Sequence, residues 1–351
     1  MTRRSRLRRS GVASAVAGLA ASALLLTGCA AGEGSALNEP EPTDAAEQRW
    51  SADTLDIDFA TYNPLSLVIK DQGWLETATT GDVTVNWIQS AGSNKANEAL
   101  RAGAVDVGST AGSAALLARS NGSPIKTIDI YSQPEWSAIV VGADSPITDV
   151  TELAGKSVAA TKGTDPYFFL LQSLEEAGVP LADVDVQNLQ HADGKTALEN
   201  GSVDAWSGLD PLMATSEATA GSKLIYRNVD FNTYGFLNAT EEFLDESPDL
   251  AQLVVNAYEK ARAWAQENPE ETAQILADAS GIDLAIATAV LDRTTLDLDP
   301  APGETQREVL EVVGPIFVES GDVSDQDAID TALDSLFDPS FADRSNPDAL
   351  D

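Results

Sequence analysis

Along this chain the spacing of apolar positions switches repeatedly between a period of two and a period near 3.6, with glycine or proline at most of the switches. The pattern is clearest from Asp144 to Pro211. Ser157 to Ala160 (SVAA) is a short apolar strand entered through a turn at Gly155 and left through Lys162-Gly163-Thr164. Thr164 or Asp165 then caps a helix opened by Pro166. Tyr167, Leu170, Leu171, Leu174 and Ala177 follow at helical spacing and Gly178 stops it. The alternation repeats with Val184 to Leu189 as strand and Asp193 to Asn200 as helix, closed by Gly201. A third strand around Val203 to Ala205 leads to Trp206 and the turn Asp210-Pro211. Strands alternating with helices predict an α/β lobe, and ligands of such lobes bind at the carboxyl ends of the strands, against helix N-termini.

The segments on either side carry the same pattern. Leu55 to Ala60 is a strand running into Tyr62-Asn63, and Pro64 opens a helix with Leu65, Val68, Ile69 and Trp74 on its apolar face. Val83 to Gln89 and Val105 to Ser109 are strands followed by Ser90 to Asn94 and by Thr110 to Ser113, each leading into a helix. Ile125 to Tyr131, Ser137 to Val141 and a return strand Tyr234 to Asn238 complete the strands. From Ser247 the chain is mostly helical. Ser247-Pro248 and Asn268-Pro269 are cap-and-proline starts, Thr305 to Glu308 reads as a capping box, and the tail from Asp338 reads as disordered. A chain that leaves one lobe near Val140 and returns near Tyr234 crosses twice, and the two crossings would form a hinge.

The N-terminus departs from this pattern. Five arginines precede the apolar run Gly11 to Leu26, which is short for a membrane span and reads as an export signal. The run ends in Leu26-Thr27-Gly28-Cys29, which resembles the lipobox of bacterial lipoproteins. That resemblance implies that Cys29 is the lipidated new N-terminus, and Cys29 is the only cysteine. Ala30 to Arg49 is small, acidic and proline-containing, a tether. The whole chain of 351 residues carries 21 basic and 56 acidic residues, and removing residues 1–28 takes away five of the basic ones and none of the acidic. So negative a field opposes nucleic acid and anionic headgroups, and selectivity for an anion would have to come from local donors.

Candidate chemistry is sparse. His191 is the only histidine, which supplies a zinc site or a serine–histidine triad poorly, and its plain reading is a surface loop residue. Glu175-Glu176 and Glu241-Glu242 read as solvated surface. No P-loop, strand-linked GxGxxG or basic stripe is present. What remains is a set of helix starts: Tyr62-Asn63, Ser93-Asn94, Ser109, Thr110, Gly112 and Ser113, and Gly163-Thr164. Free N–H groups and hydroxyls there can hold a sulfonate or carboxylate. Taken singly, each is better read as an ordinary N-cap; together they point to a cleft. Trp136 and Trp206 lie next to strand ends, where they could flank an apolar ligand tail, whereas Trp74 and Trp87 read as core. Asp165 would compete with an anion for donors unless it caps its own helix or meets a cationic part of the ligand.

SPITDVTELAGKSVAATKGT, the helix end EEAGV and ENGSVDAWSGLDP together closely resemble the periplasmic substrate-binding proteins of ABC importers for aliphatic sulfonates, taurine and nitrate. The resemblance runs from about Leu55 to beyond Trp264. It implies a two-lobe α/β fold of the type II periplasmic binding protein kind, with two crossing hinge segments and the ligand cleft between lobes. The expected division is a signal peptide at 1–28, a tether at 29–52, one lobe from 53–140 with 235–345, and the other from 141–234. The implied role is capture of an organosulfonate, without cofactor or metal, by a lipid-anchored monomer on the outer face of the membrane that serves an ABC permease and ATPase. Taurine is an alternative whose ammonium could pair with Asp165 or Asp210. Nitrate or a thiamin-precursor pyrimidine is a further alternative, and the rival class is a pyrimidine-synthesising enzyme of the same fold. Relatives commonly carry a tryptophan just before the Asp-Pro of this last motif, where this chain has Leu209. Cys29→Ala is expected to leave the protein unprocessed or soluble; unchanged membrane fractionation would exclude lipidation at Cys29.

Overall fold

The computed structural model describes residues 50–350, so the signal-peptide reading, Cys29 and nearly all of the tether lie outside the described residues. Eleven strands are described: β1 Thr54–Phe59, β2 Thr84–Gln89, β3 Val107–Ala111, β4 Ile125–Pro134, β5 Ile139–Val141, β6 Ser157–Ala160, β7 Asp185–Asn188, β8 Ala205–Ser207, β9 Lys223–Tyr226, β10 Gly235–Thr240 and β11 Thr294–Thr295. They form two mixed sheets, one ordered β11-β4-β10-β3-β1-β2 and one ordered β7-β6-β8-β5-β9. Each sheet holds three parallel neighbours, β2-β1-β3 in the first and β7-β6-β8 in the second, and a strand reached by crossing from the other sheet is inserted antiparallel beside β3 or β8. That strand is β10 in the first sheet and β5 in the second. The chain therefore passes from the first sheet to the second between Pro134 and Ile139, and back between Tyr226 and Gly235.

Local sequence accounts for most element ends. Asn63 accepts a hydrogen bond from Ser66 N at 3.3 Å, Pro64 occupies the first turn, and the helix Pro64–Gln72 ends at Gly73 in the left-handed conformation. The stripe Leu250, Leu253, Val254, Ala257, Tyr258 and Ala261 on the helix Pro248–Glu267 is buried, and it packs with Leu55, Ile57, Leu65, Ile69 and Val107 in one core. β3 is buried at every position, as expected for an interior strand covered on both faces.

Several expectations shift. β3 begins two residues later than its hydrophobic run suggested, and β9 and β11 were not legible, being short and partly exposed. Ser247 and Asn268 occupy N-cap positions without making a side-chain cap bond. The capping box moves upstream, where Gln306 Oε1 accepts from Gly303 N at 3.0 Å. The tail is ordered. Asp338 N donates to Thr127 O at 2.9 Å, Gln252 Nε2 donates to Phe341 O at 2.9 Å, and Phe341 and Leu350 are buried in the core that holds Tyr258. Two apolar anchors in an otherwise polar stretch suffice, because each removes roughly 2 kcal/mol worth of apolar surface from water.

Candidate functional site

The loops that follow the parallel strands carry nearly every residue singled out from the sequence, and the structure sorts them into two groups. The first group is closed by the protein itself. Tyr62 Oη donates to Ser109 O at 2.9 Å, and its ring meets Trp136 edge-on at 5.9 Å. Asn63 Nδ2 donates to Tyr258 Oη at 3.0 Å. Ser109 donates through both N and Oγ to Asp58, at 2.9 and 3.0 Å. Thr110 Oγ1 accepts from Asn238 Nδ2 at 2.8 Å and donates to Ala111 O at 2.9 Å.

The helix Gly112–Ser120 has its first N–H groups occupied in the same way. Ala111 N donates to Ser93 Oγ at 2.9 Å, Gly112 N to Thr233 O and Tyr234 O at 3.2 Å each, and Ser113 N to Thr233 Oγ1 at 2.8 Å. A Cβ on Gly112 would lie 2.3 Å from Thr233 O, so only glycine lets the returning chain approach this closely.

Asp165 is the centre of this group. Its Oδ1 accepts from Ser113 Oγ at 2.7 Å and Thr233 Oγ1 at 2.6 Å, and its Oδ2 accepts from Trp136 Nε1 at 2.8 Å and Thr233 N at 2.9 Å. Burial pushes its carboxyl above the ordinary range, and the bonds from Ser113, Thr233 and Trp136 pull it back. With two N–H donors on Oδ2 and two hydroxyls on Oδ1, the carboxyl is fully hydrogen-bonded by the protein itself. Asp165 thus neither caps its own helix nor points to a ligand. It joins the start of helix Gly112–Ser120 to the start of helix Asp165–Glu176 and to both segments that cross between the sheets.

Trp206 is fully buried between β5 and β6, packed with Ala138, Val140, Ala159 and Met213, and its indole N–H has no partner among the described residues. It is core, as its complete burial shows. Asp210 Oδ1 accepts from Ala214 N at 2.9 Å, and its Oδ2 faces Arg293 Nη1 at 3.4 Å, while Arg293 Nη2 reaches Glu217 at 2.6 Å. Burial pushes Asp210 up to about 7 against the pull of Arg293. Arg293 was not singled out from the sequence, since nothing local marks a residue whose partners lie more than seventy positions away. Lys162 is exposed, its ammonium 5.3 Å from the Tyr167 ring centre.

The second group is open. The helices Ser93–Arg101, Asp165–Glu176 and His191–Glu199 begin at Gly92, Thr164 and Gln190, and none of these starts has a side-chain cap. All three meet. A Cβ on Gly92 would lie 2.8 Å from His191 Nε2, a Cβ on Gly163 would lie 3.7 Å from Asn94 Cβ, and Asn94 Nδ2 donates to Gln190 Oε1 at 3.4 Å. Thr164 Oγ1 turns back to Thr161 O at 2.6 Å. The N-terminus of each helix presents free N–H groups and about half a positive elementary charge, so three together favour an anion.

His191 belongs to this group, which corrects its reading as a surface loop residue. It is 3% exposed, and its Nδ1 lies 3.1 Å from Thr161 Oγ1. That hydroxyl spends its proton on Leu189 O at 2.7 Å, so Nδ1 carries the imidazole hydrogen and Nε2 is a lone pair. Burial pushes the imidazole down to about 3, keeping it neutral. Its Nε2 and Asn94 Oδ1 are buried without a partner among the described residues. A lone histidine between a polar strand end and a helix gives no sequence signal of burial; only the approach of Gly92 seals it.

The architecture, with two mixed α/β sheets and paired crossings, is that of the periplasmic binding proteins. The sequence profile described as NMT1/THI5 like matches residues 65–272, and the chain belongs to that family. Among curated relatives, a putative aliphatic sulfonates-binding protein of Bacillus subtilis (strain 168) is 29% identical over 238 residues, covering 67% of this chain and 71% of the relative. A protein of the same description from Escherichia coli (strain K12) is 27% identical over 210 residues, covering 59% of this chain and 66% of the relative. The alkanesulfonate-binding protein SsuA of Xanthomonas axonopodis pv. citri, solved bound to MOPS, shares the fold with a TM-score of 0.72 at 20% identity, over 80% of this chain and 98% of that one. The desulfurization enzyme DszB also shares it, with a TM-score of 0.61 at 16% identity over 85% of this chain and 99% of that one, so the fold by itself does not decide between binding and turnover.

Two predictions follow from these buried carboxylates. Asp165→Ala is expected to lower the unfolding free energy by about 3–5 kcal/mol, because it strands four buried donors; chemical denaturation measures it, and a loss below 1 kcal/mol would remove Asp165 from this role. Burial also pushes Asp58 from 3.8 up to about 7, against the bonds from Ser109. A carboxyl raised on folding stabilises fully below its unfolded value near 4 and loses that contribution as pH rises to 7. Stability should therefore fall between pH 5 and pH 8, and Asp58→Asn should make the decline shallower between pH 5 and 6.5 by up to roughly 1.4 kcal/mol per pH unit. An unchanged slope would show that Asp58 does not take up a proton on folding.

Proposed function

We propose that the protein is an extracytoplasmic solute-binding protein that captures an aliphatic sulfonate and delivers it to an ABC permease, without chemical turnover. The observation that carries this reading is the meeting of three uncapped helix starts at Ser93, Asp165 and His191. A sulfonate head is a compact anion whose oxygens only accept, and backbone N–H groups satisfy it without a full positive charge. That suits a chain with a net charge of −35, in which Arg293 is already engaged by Asp210 and Glu217. The names of the curated relatives support the same class.

In this reading the anion is held by Ser93, Asn94, Gly163, Thr164 and the start of helix His191–Glu199. Tyr62, Trp136 and Leu209, which share one apolar cluster, shape the space beside it. Residues 53–140 with 235–345 act as one lobe and 141–234 as the other, and closure about the two crossings captures the ligand. Cys29 tethers the protein through lipid to the outer face of the cell membrane.

A thermal-shift screen of alkanesulfonates, taurine, nitrate and pyrimidines, followed by calorimetry, tests the proposal. An alkanesulfonate is expected to raise the melting temperature, since a ligand that binds only the folded form stabilises it by mass action. Gly163→Val, which sets a branched side chain at a backbone φ of +77° beside Asn94, should weaken that binding at least tenfold. A shift with pyrimidines alone would transfer the role to another ligand class, and product formation would make the protein an enzyme.

A further inference from the structure

The open helix starts explain how an anion is held, but they leave two atoms unexplained. His191 Nε2 and Asn94 Oδ1 are both acceptors, both buried, and both without a donor among the described residues. They are also neighbours, at 2.8 and 2.9 Å from the place a Cβ on Gly92 would occupy. The tautomer of His191 is fixed by the Leu189–Thr161–His191 chain, and the Asn94 amide nitrogen is directed to Gln190 Oε1. A sulfonate oxygen cannot satisfy either atom, because it too offers only lone pairs. Something carrying N–H or O–H can satisfy both.

The two carboxylates that the sequence offered to a ligand's cationic part are already in use. Asp165 accepts four protein donors, and Asp210 is held by Ala214 N and Arg293. His191 and Asn94 instead offer unpartnered acceptors on the same loops as the open helix starts.

Building on the sulfonate reading above, we infer that His191 Nε2 and Asn94 Oδ1 form a subsite for a hydrogen-bond donor carried by the ligand a short carbon chain away from its anionic head. The preferred class is then an amino- or hydroxyalkanesulfonate over a plain alkanesulfonate. Gly92, with its φ of +138°, is part of the device: any side chain there would strike the imidazole and cover both acceptors. A site built to bond a donor rejects the analogue that lacks it, because its acceptors are then left unpaired.

The test compares 2-aminoethanesulfonate, 2-hydroxyethanesulfonate and ethanesulfonate by calorimetry on the wild type, His191→Phe and Asn94→Leu. The wild type is expected to bind a donor-bearing ligand at least about tenfold tighter than ethanesulfonate. In the variants that ratio should fall to about one, while a cooperative thermal unfolding transition reports that each variant is folded; a ratio that stays about tenfold in both folded variants would overturn the inference. Because His191 is the only histidine, the imidazole ¹⁵N signal of the wild type gives a second readout, and Nε2 should shift on binding the donor-bearing ligand and not on binding ethanesulfonate. Equal wild-type affinities for the three ligands, with no Nε2 shift, would assign the acceptors to water and overturn the inference while leaving the sulfonate reading intact. Binding of none of the three would overturn both.

Discussion

The Asp165 carboxylate is the constraint on which the arrangement depends. It is a buried carboxyl held by a hydroxyl from one helix start, an indole N–H from the outgoing crossing, and a hydroxyl and a backbone N–H from the returning crossing. Each donor comes from a different stretch of chain, apart from the pair on Thr233. A buried carboxyl cannot be left without hydrogen-bond partners, so the segments that supply them must meet. One side chain thereby fixes where the two crossings lie against the helix starts.

That arrangement also separates helix ends with a structural role from those left open. The start of Gly112–Ser120 is filled by Ser93, Thr233 and Tyr234, and the start of Pro64–Gln72 by Asn63. The starts at Ser93, Asp165 and His191 receive nothing of the kind. A protein that closes some helix ends with its own groups and gathers three uncapped ones in one place concentrates unpaired donors there. The glycines Gly92 and Gly163 make the gathering possible, since a side chain at 92 would collide with His191 and the backbone at 163 takes a φ of +77° that L side chains rarely adopt.

The overall acidity sets the terms for an anionic ligand. With 56 acidic residues against 21 basic ones, the long-range field repels the proposed solute, and Arg293 is bound to Asp210 and Glu217. Attraction then has to act at short range, through N–H dipoles that lose little to salt screening once water is excluded.

Periodicity and turn residues in the sequence determined the α/β class, most strands, the two crossings and the family resemblance, because hydrophobic spacing and glycine or proline placement act within a few residues. They also determined that Ser93, Asn94, Gly163 and Thr164 stand at helix starts. The tertiary structure alone decided that the start of Gly112–Ser120 is closed, because Thr233, which accepts from Ser113 N, lies more than a hundred positions away. Asp165 became a tie, Trp206 became core and the tail was pinned through Phe341 and Leu350 for the same reason. His191 is the sharpest case. Its sequence neighbourhood is that of a surface loop, and its burial, its tautomer and its unpaired nitrogen follow only from the approach of Gly92 and Thr161 in space.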